Sequence, residues 1–135
     1  MNRVLVVDDE AGMRCALEAS FLQCGLEVDT AANAGEALEK FCRELHPLVV
    51  TNIRMPGCDG YALMRAVLAL APSTSVILLT EFAESLDAVR AMKAGACDYM
   101  AKPVNFHQLK QSAQSIMSWR KKQSADAAIV VSRKW

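Results

Sequence analysis

Apolar positions along the chain follow two alternating rhythms. Short β-branched or aliphatic runs at Arg3 to Val7, Glu27 to Ala31, Leu48 to Asn52, Ser75 to Leu79 and Cys97 to Ala101 predict five strands. Three of these are nearly continuous apolar runs, as strands covered on both faces should be. Between them the spacing changes to i, i+3, i+4, i+7. Met13, Ala16, Leu17, Ser20 and Phe21 mark one helix and Ala34, Ala37, Leu38, Phe41 and Cys42 the next, with Ser20 as the polar exception. Leu63, Met64, Val67 and Leu68 mark a third, Leu86, Val89 and Met92 a fourth, and Leu109, Ala113, Ile116 and Met117 a fifth. Asn33 with Glu36 and Asn105 with Gln108 have the spacing of capping boxes. Gly25 and Gly95 stand where helices should stop, and Pro47 and Pro72 precede the third and fourth strands.

Strands that alternate with helices over this length predict an α/β fold with a parallel sheet and right-handed crossovers. The expected architecture is a single flavodoxin-like (βα)5 doubly wound sheet with strand order 2-1-3-4-5. Any site should then lie beyond the carboxyl ends of the strands. The pattern supports one domain over residues 1–122. Residues 123–135 form a C-terminal tail that belongs to no sixth βα unit. Such a tail either frays or docks Ile129, Val130, Val131 and Trp135 on this domain or a partner.

Composition narrows the functional classes. With 135 residues and 53% apolar content there is material for one core and no second domain. Formal net charge is zero, so the overall field gives no reason to expect direct nucleic-acid or membrane-surface binding. Arg120-Lys121-Lys122 and Arg133-Lys134 are short cationic runs of the kind found at helix ends. Cys15, Cys24, Cys42, Cys58 and Cys97 are odd in number and form no C-x-x-C pair, which suggests reduced thiols and a cytoplasmic location. No signal-peptide pattern opens the chain, and no run of about 18 apolar residues predicts a membrane span.

The polar residues at the predicted strand ends carry the chemistry. Asp8, Asp9 and Glu10 follow the first strand, Asn52 ends the third, Thr80 and Glu81 follow the fourth, and Lys102-Pro103 follows the fifth. Parallel strands bring these positions to one crevice. Paired carboxylates with a further oxygen suit Mg²⁺, while a hydroxyl and an ammonium suit phosphoryl oxygens. Such a pocket could act on its own side chain through positioning and charge neutralisation.

These motifs resemble those of response-regulator receiver domains of bacterial two-component phosphorelay signalling, over about residues 2–120. The resemblance rests on Val6-Val7-Asp8-Asp9-Glu10, on Asn52-Ile53-Arg54-Met55-Pro56-Gly57-Cys58-Asp59-Gly60, on Leu79-Thr80, and on the stretch from Ala91 to Pro103. It implies that Asp8 and Asp9 are magnesium acids, with Asn52 and the Arg54 carbonyl completing the set. It also implies that Thr80 and Lys102 contact phosphoryl oxygens, that Tyr99 follows Thr80 as a switch residue, and that Lys102-Pro103 is cis. The partners implied are a histidine kinase or an output protein. A homodimer could form through the face of the fourth helix, fifth strand and fifth helix, which carries Arg90, Lys93, Asp98, Tyr99 and Lys110.

Two residues depart from the family pattern. Position 52 would be the phosphoacceptor aspartate, and an uncharged amide offers no nucleophile there. Mg²⁺ binding is expected to weaken with the lost charge. Glu81 replaces a small residue and brings an anion towards Thr80 and Lys102. The reading that follows is a receiver-type module, not an enzyme, that does not accept phosphate at Asn52 and acts through protein contacts. Two alternatives stand beside it: a phospho-accepting receiver with an engineered Asp-to-Asn change, and a small Mg²⁺-dependent phosphoryl-transfer enzyme. Glu81 favours a natural origin, because a single engineered change would leave that position alone. A nucleotide-binding flavodoxin-like protein is disfavoured, since no glycine-rich loop follows the first strand.

Overall fold

Strands rich in valine, isoleucine and leucine on both faces need cover on both sides, and the computed structural model provides it. Strands β1 (Arg3–Val7), β2 (Glu27–Ala31), β3 (Leu48–Asn52), β4 (Ser75–Thr80) and β5 (Asp98–Ala101) form one parallel sheet in the order β2-β1-β3-β4-β5. Helices α1 (Ala11–Gln23), α2 (Ala34–Glu44), α3 (Gly60–Leu70), α4 (Ser85–Lys93) and α5 (Phe106–Arg133) connect and follow them. The structure describes the backbone of residues 2–81 and 85–133, and the side chains of residues 2–81 and 88–123. Among the described residues no helix is long and apolar enough to cross a membrane.

Alternation along the central strands divides the core in two. Leu5, Val7, Val49, Val76 and Leu78 pack with Ala37 and Phe41 of α2 and with Leu63, Met64 and Val67 of α3. Val4, Val6, Val50, Ile77 and Leu79 face the other way, onto Leu17 and Phe21 of α1 and Leu109 and Ala113 of α5. Each large aliphatic or aromatic side chain so buried contributes roughly 1.5–3 kcal/mol before conformational entropy is counted. The sheet is thereby a rigid base for the loops at its carboxyl edge.

The predicted caps are present. Asn33 Oδ1 accepts from the Glu36 amide at 2.8 Å, and Asn105 Oδ1 from the Gln108 amide at 3.0 Å. Glu36 reaches back to the Ala32 amide, one residue before the predicted partner. Gly25 and Gly95 adopt φ values of 77° and 115°, in the left-handed region where an L side chain is strained. The Lys102–Pro103 peptide is cis.

Three expectations need correction. In α4 the predicted apolar stripe is not the buried one: Val89 and Met92 are 53% and 49% exposed, and Ala91 packs against the sheet. The small alanine lets the helix lie close to β5 and turns the larger side chains outward. Leu86 lies outside the residues whose side chains are described. In α2, Cys42 is exposed because it sits at the margin of the stripe buried by Ala37 and Phe41. Helix α5 does not end near Lys122 but continues to Arg133, a course favoured by Ala125, Ala127 and Ala128. Whether Ile129, Val130, Val131 and Trp135 dock lies outside the described side chains.

The sequence reading also missed a polar network at the β2 edge. His46 is fully buried, stacked on Phe41, with Nε2 2.7 Å from Asp29 Oδ2. Arg3 Nη1 donates to the same carboxylate at 3.1 Å. Partial burial acts to raise the Asp29 pKa, and the hydrogen bonds from His46 and Arg3 outweigh it, holding the carboxyl below its ordinary value. A depressed carboxyl stabilises the fold above its unfolded value of 3.8 and loses that contribution as pH falls through the lower folded value. Acid titration followed by circular dichroism should therefore show wild-type stability declining below that pH, with Asp29→Asn giving a shallower decline.

Candidate functional site

The carboxyl edge of the sheet gathers most of the predicted site residues. A cavity of about 210 Å³ opens there, lined by Asp8, Asp9, Glu10, Asn52, Arg54, Glu81 and Lys102. Four acids face two bases across it. Asp8 is fully buried at the end of β1, and its two oxygens are both used. Oδ1 accepts from the Glu10 amide at 2.9 Å, and Oδ2 accepts from Lys102 Nζ at 2.7 Å. Side-chain exposures of 6% for Lys102 and 1% for Asp8 make this a buried ion pair. The Asp8 carbonyl also accepts from Arg14 Nη1 at 2.8 Å, tying the first turn of α1 to the strand end.

Asn52 ends β3 and is nearly buried. Its Nδ2 donates to the Arg54 carbonyl at 2.7 Å and makes a longer contact of 3.4 Å with Asp9 Oδ1. It is thus the amide nitrogen, not the oxygen, that is turned towards the predicted metal ligands. Behind it the chain is pinned on three sides. Thr51 Oγ1 donates to the Asn52 carbonyl at 3.0 Å, the Ile53 amide to Leu79 O at 2.9 Å, and the Gly60 amide to Ile53 O at 2.7 Å. Asp59 caps α3 by accepting from the Ala62 amide at 2.9 Å. A side chain at Gly60 would place its Cβ 2.4 Å from the Asn52 carbonyl oxygen, so only glycine permits this approach.

The other predicted residues are placed differently. Thr80 is buried at the end of β4, and its carbonyl accepts from the Lys102 amide at 2.7 Å, but it does not line the cavity. Tyr99 is half-buried against the core face that contains Ala91. Glu81 is exposed and lines the cavity, yet the suggested Glu81–Lys102 ion pair is not made among the described residues. The ammonium is already held by the buried Asp8. Glu10 and Gly60 were in the sequence motifs without an assigned role, and their placement depends on loop geometry that spacing does not reveal.

A divalent cation was expected to use Asp8, Asp9, Asn52 and the Arg54 carbonyl. Those groups do converge. However, Asp9 Oδ1 and Arg54 O both face N–H groups of Asn52, and one Asp8 oxygen is taken by Lys102. Among the described residues no group of three His, Cys, Asp or Glu side chains is arranged to hold a metal ion. The donor set as folded does not fit the cation without breaking these contacts.

Comparison with known proteins agrees with this architecture. The family model for the response regulator receiver domain matches residues 4–114. The C4-dicarboxylate transport transcriptional regulatory protein DctD of Rhizobium meliloti is 39% identical over 111 residues, covering 82% of this chain and 24% of that protein. The regulatory protein AtoC of Escherichia coli is 38% identical over 125 residues, covering 90% of this chain and 27% of that protein. The chain thus spans about a quarter of the length of these curated relatives. Among solved structures, a receiver domain protein from Clostridium thermocellum superposes with a TM-score of 0.84 at 29% identity, covering 91% of this chain and 99% of that one. A CheY-like receiver domain protein from Methanospirillum hungatei gives 0.84 at 30% identity, covering 91% and 98%.

A parallel sheet of order 2-1-3-4-5 with acids and a lysine at its carboxyl edge is the arrangement of a signalling receiver. The chain belongs to the response regulator receiver domain family of two-component signalling. Members of this family interact with histidine kinases or output domains.

Proposed function

We propose that this receiver does not accept a phosphoryl group and signals through protein contacts alone. The observation that carries the reading is Asn52, at the end of β3 and in the cavity where the family's phosphoacceptor aspartate would stand. Its amide oxygen carries no charge and its nitrogen is committed as a donor to Arg54 O. Glu81 adds an anion to the mouth of a cavity already lined by Asp8, Asp9 and Glu10, which opposes an incoming phosphoryl anion. Two departures at one site support a natural origin for Asn52. They also oppose an enzyme that would need the same position as nucleophile.

Output is assigned to the face of α4, β5 and α5. Exposed Val89 and Met92 give α4 an apolar surface suited to a protein partner or a second copy. Of the mixed charges on this face, Arg90 lies over the Tyr61 ring, Asp98 accepts from Ser112, and Lys110 donates to Gln23. Tyr61 belongs to α3 and Gln23 to α1, so Arg90 and Lys110 are engaged towards the edges of this face, while Asp98 is held within it. The free cysteines fit a reducing, cytoplasmic setting. Relatives described as transcriptional regulators suggest transcription as the process served, with DNA contacts made by another domain or protein.

Fluorine NMR with beryllium fluoride, a phosphoryl mimic, and Mg²⁺ tests the reading. The unaltered chain should show no bound fluoride signal, and Asn52→Asp should show one. A bound signal in the unaltered chain would contradict the proposal.

A further inference from the structure

We infer that the Asn52 carboxamide is a built-in substitute for the divalent cation, keeping the acid pocket assembled without metal. This deepens the reading above and rests on it for the identity of the site. The two oxygens that a cation would draw together come from separate elements: Asp9 follows β1, and Arg54 follows β3. Asn52 Nδ2 spans them, at 3.4 Å from Asp9 Oδ1 and 2.7 Å from Arg54 O. Both neighbours are acceptors only, so the nitrogen must face them; the reversed amide would set its oxygen against two others. One N–H group therefore lies towards each oxygen, as a bridging cation would.

The rest of the pocket supports the same arrangement. Asp8 is neutralised by Lys102 at 2.7 Å, leaving Asp9 to the amide. The Asn52 backbone has little freedom to move away, because Thr51 Oγ1 holds its carbonyl and α3 passes close behind it at Gly60. An arriving cation would have to displace the amide from both oxygens, and the delocalised nitrogen could not replace them as a ligand. The simpler account is that the amide only fills space, and that Mg²⁺ enters once Asn52 turns its oxygen inward.

Magnesium titration followed by ¹⁵N NMR and thermal melting separates the two. For the unaltered chain, millimolar Mg²⁺ should leave the signals of Asp9, Asn52 and Arg54 unmoved, the Asn52 side-chain amide pair unchanged, and the melting temperature constant. Asn52→Asp should bind Mg²⁺ and melt about 5 °C higher when saturated. Asn52→Ala, which frees Asp9 and the Arg54 carbonyl without adding charge, should also bind more tightly than the unaltered chain. Saturable Mg²⁺ shifts at Asn52 and Arg54 in the unaltered chain would overturn the inference. So would failure of Asn52→Ala to gain binding, because the amide would then not be what excludes the cation. Phosphoryl uptake by the unaltered chain would instead defeat the functional reading, whatever magnesium does.

Discussion

Lys102→Ala should lower the unfolding free energy by about 3–5 kcal/mol, the usual cost of leaving one member of a buried ion pair without its partner. Asp8 is fully buried, and apart from the Glu10 amide its carboxylate has Lys102 as its compensating donor. Removing the ammonium strands a charge at the end of the interior strand β1. Against a typical domain stability of about 5–15 kcal/mol this is a large fraction. Urea denaturation would show the midpoint falling with little change in slope. Combining Lys102→Met with Asp8→Asn should recover part of the loss, because the second change removes the stranded charge. A loss below about 1 kcal/mol in Lys102→Ala would mean that water or a rearranged neighbour replaces the lysine.

Gly60→Ala should cost about 2–3 kcal/mol or more, despite adding a single methyl group at the start of a helix. The new Cβ would lie 2.4 Å from Asn52 O, 2.9 Å from Ile53 Cα and 3.1 Å from Asn52 C. All three are backbone atoms, so relief requires shifting either the first turn of α3 or the end of β3. Both movements disturb Asn52, and its side-chain amide signals should shift as the protein loses stability. Gly12→Ala is the control. Its Cβ would meet nothing nearer than Glu10 Oε1 at 3.9 Å, and in the first turn of α1 alanine should be tolerated, stabilising by at most about 0.5 kcal/mol.

The sheet was legible because its signal is local and repeated. Apolar runs bounded by proline, glycine and capping residues place β1 to β3 at their observed bounds, while β4 ends one residue later and β5 begins one residue later than expected. Convergence of Asp8, Asp9, Asn52, Glu81 and Lys102 follows from parallel strands alone. What escaped the sequence depends on through-space choices. Helix α4 has two candidate faces, and close approach to β5 selects alanine over valine and methionine. Residues distant in sequence, Arg3, Asp29 and His46, meet only after β1 and β2 pair. Lys102 chooses Asp8 over Glu81 because the buried carboxylate has the greater need of a donor. The direction of the Asn52 amide was also hidden, since it depends on the loop carbonyl of Arg54.

We propose a receiver that retains the pocket of its family without the capacity to be phosphorylated. Intact mass spectrometry after incubation with a small phosphodonor and Mg²⁺ tests it most directly, applied to the unaltered chain and to Asn52→Asp. No adduct is expected on the unaltered chain, and one phosphoryl group is expected on the variant, located at position 52. A phosphoryl adduct on the unaltered chain, or a folded variant that takes none, would contradict the proposal.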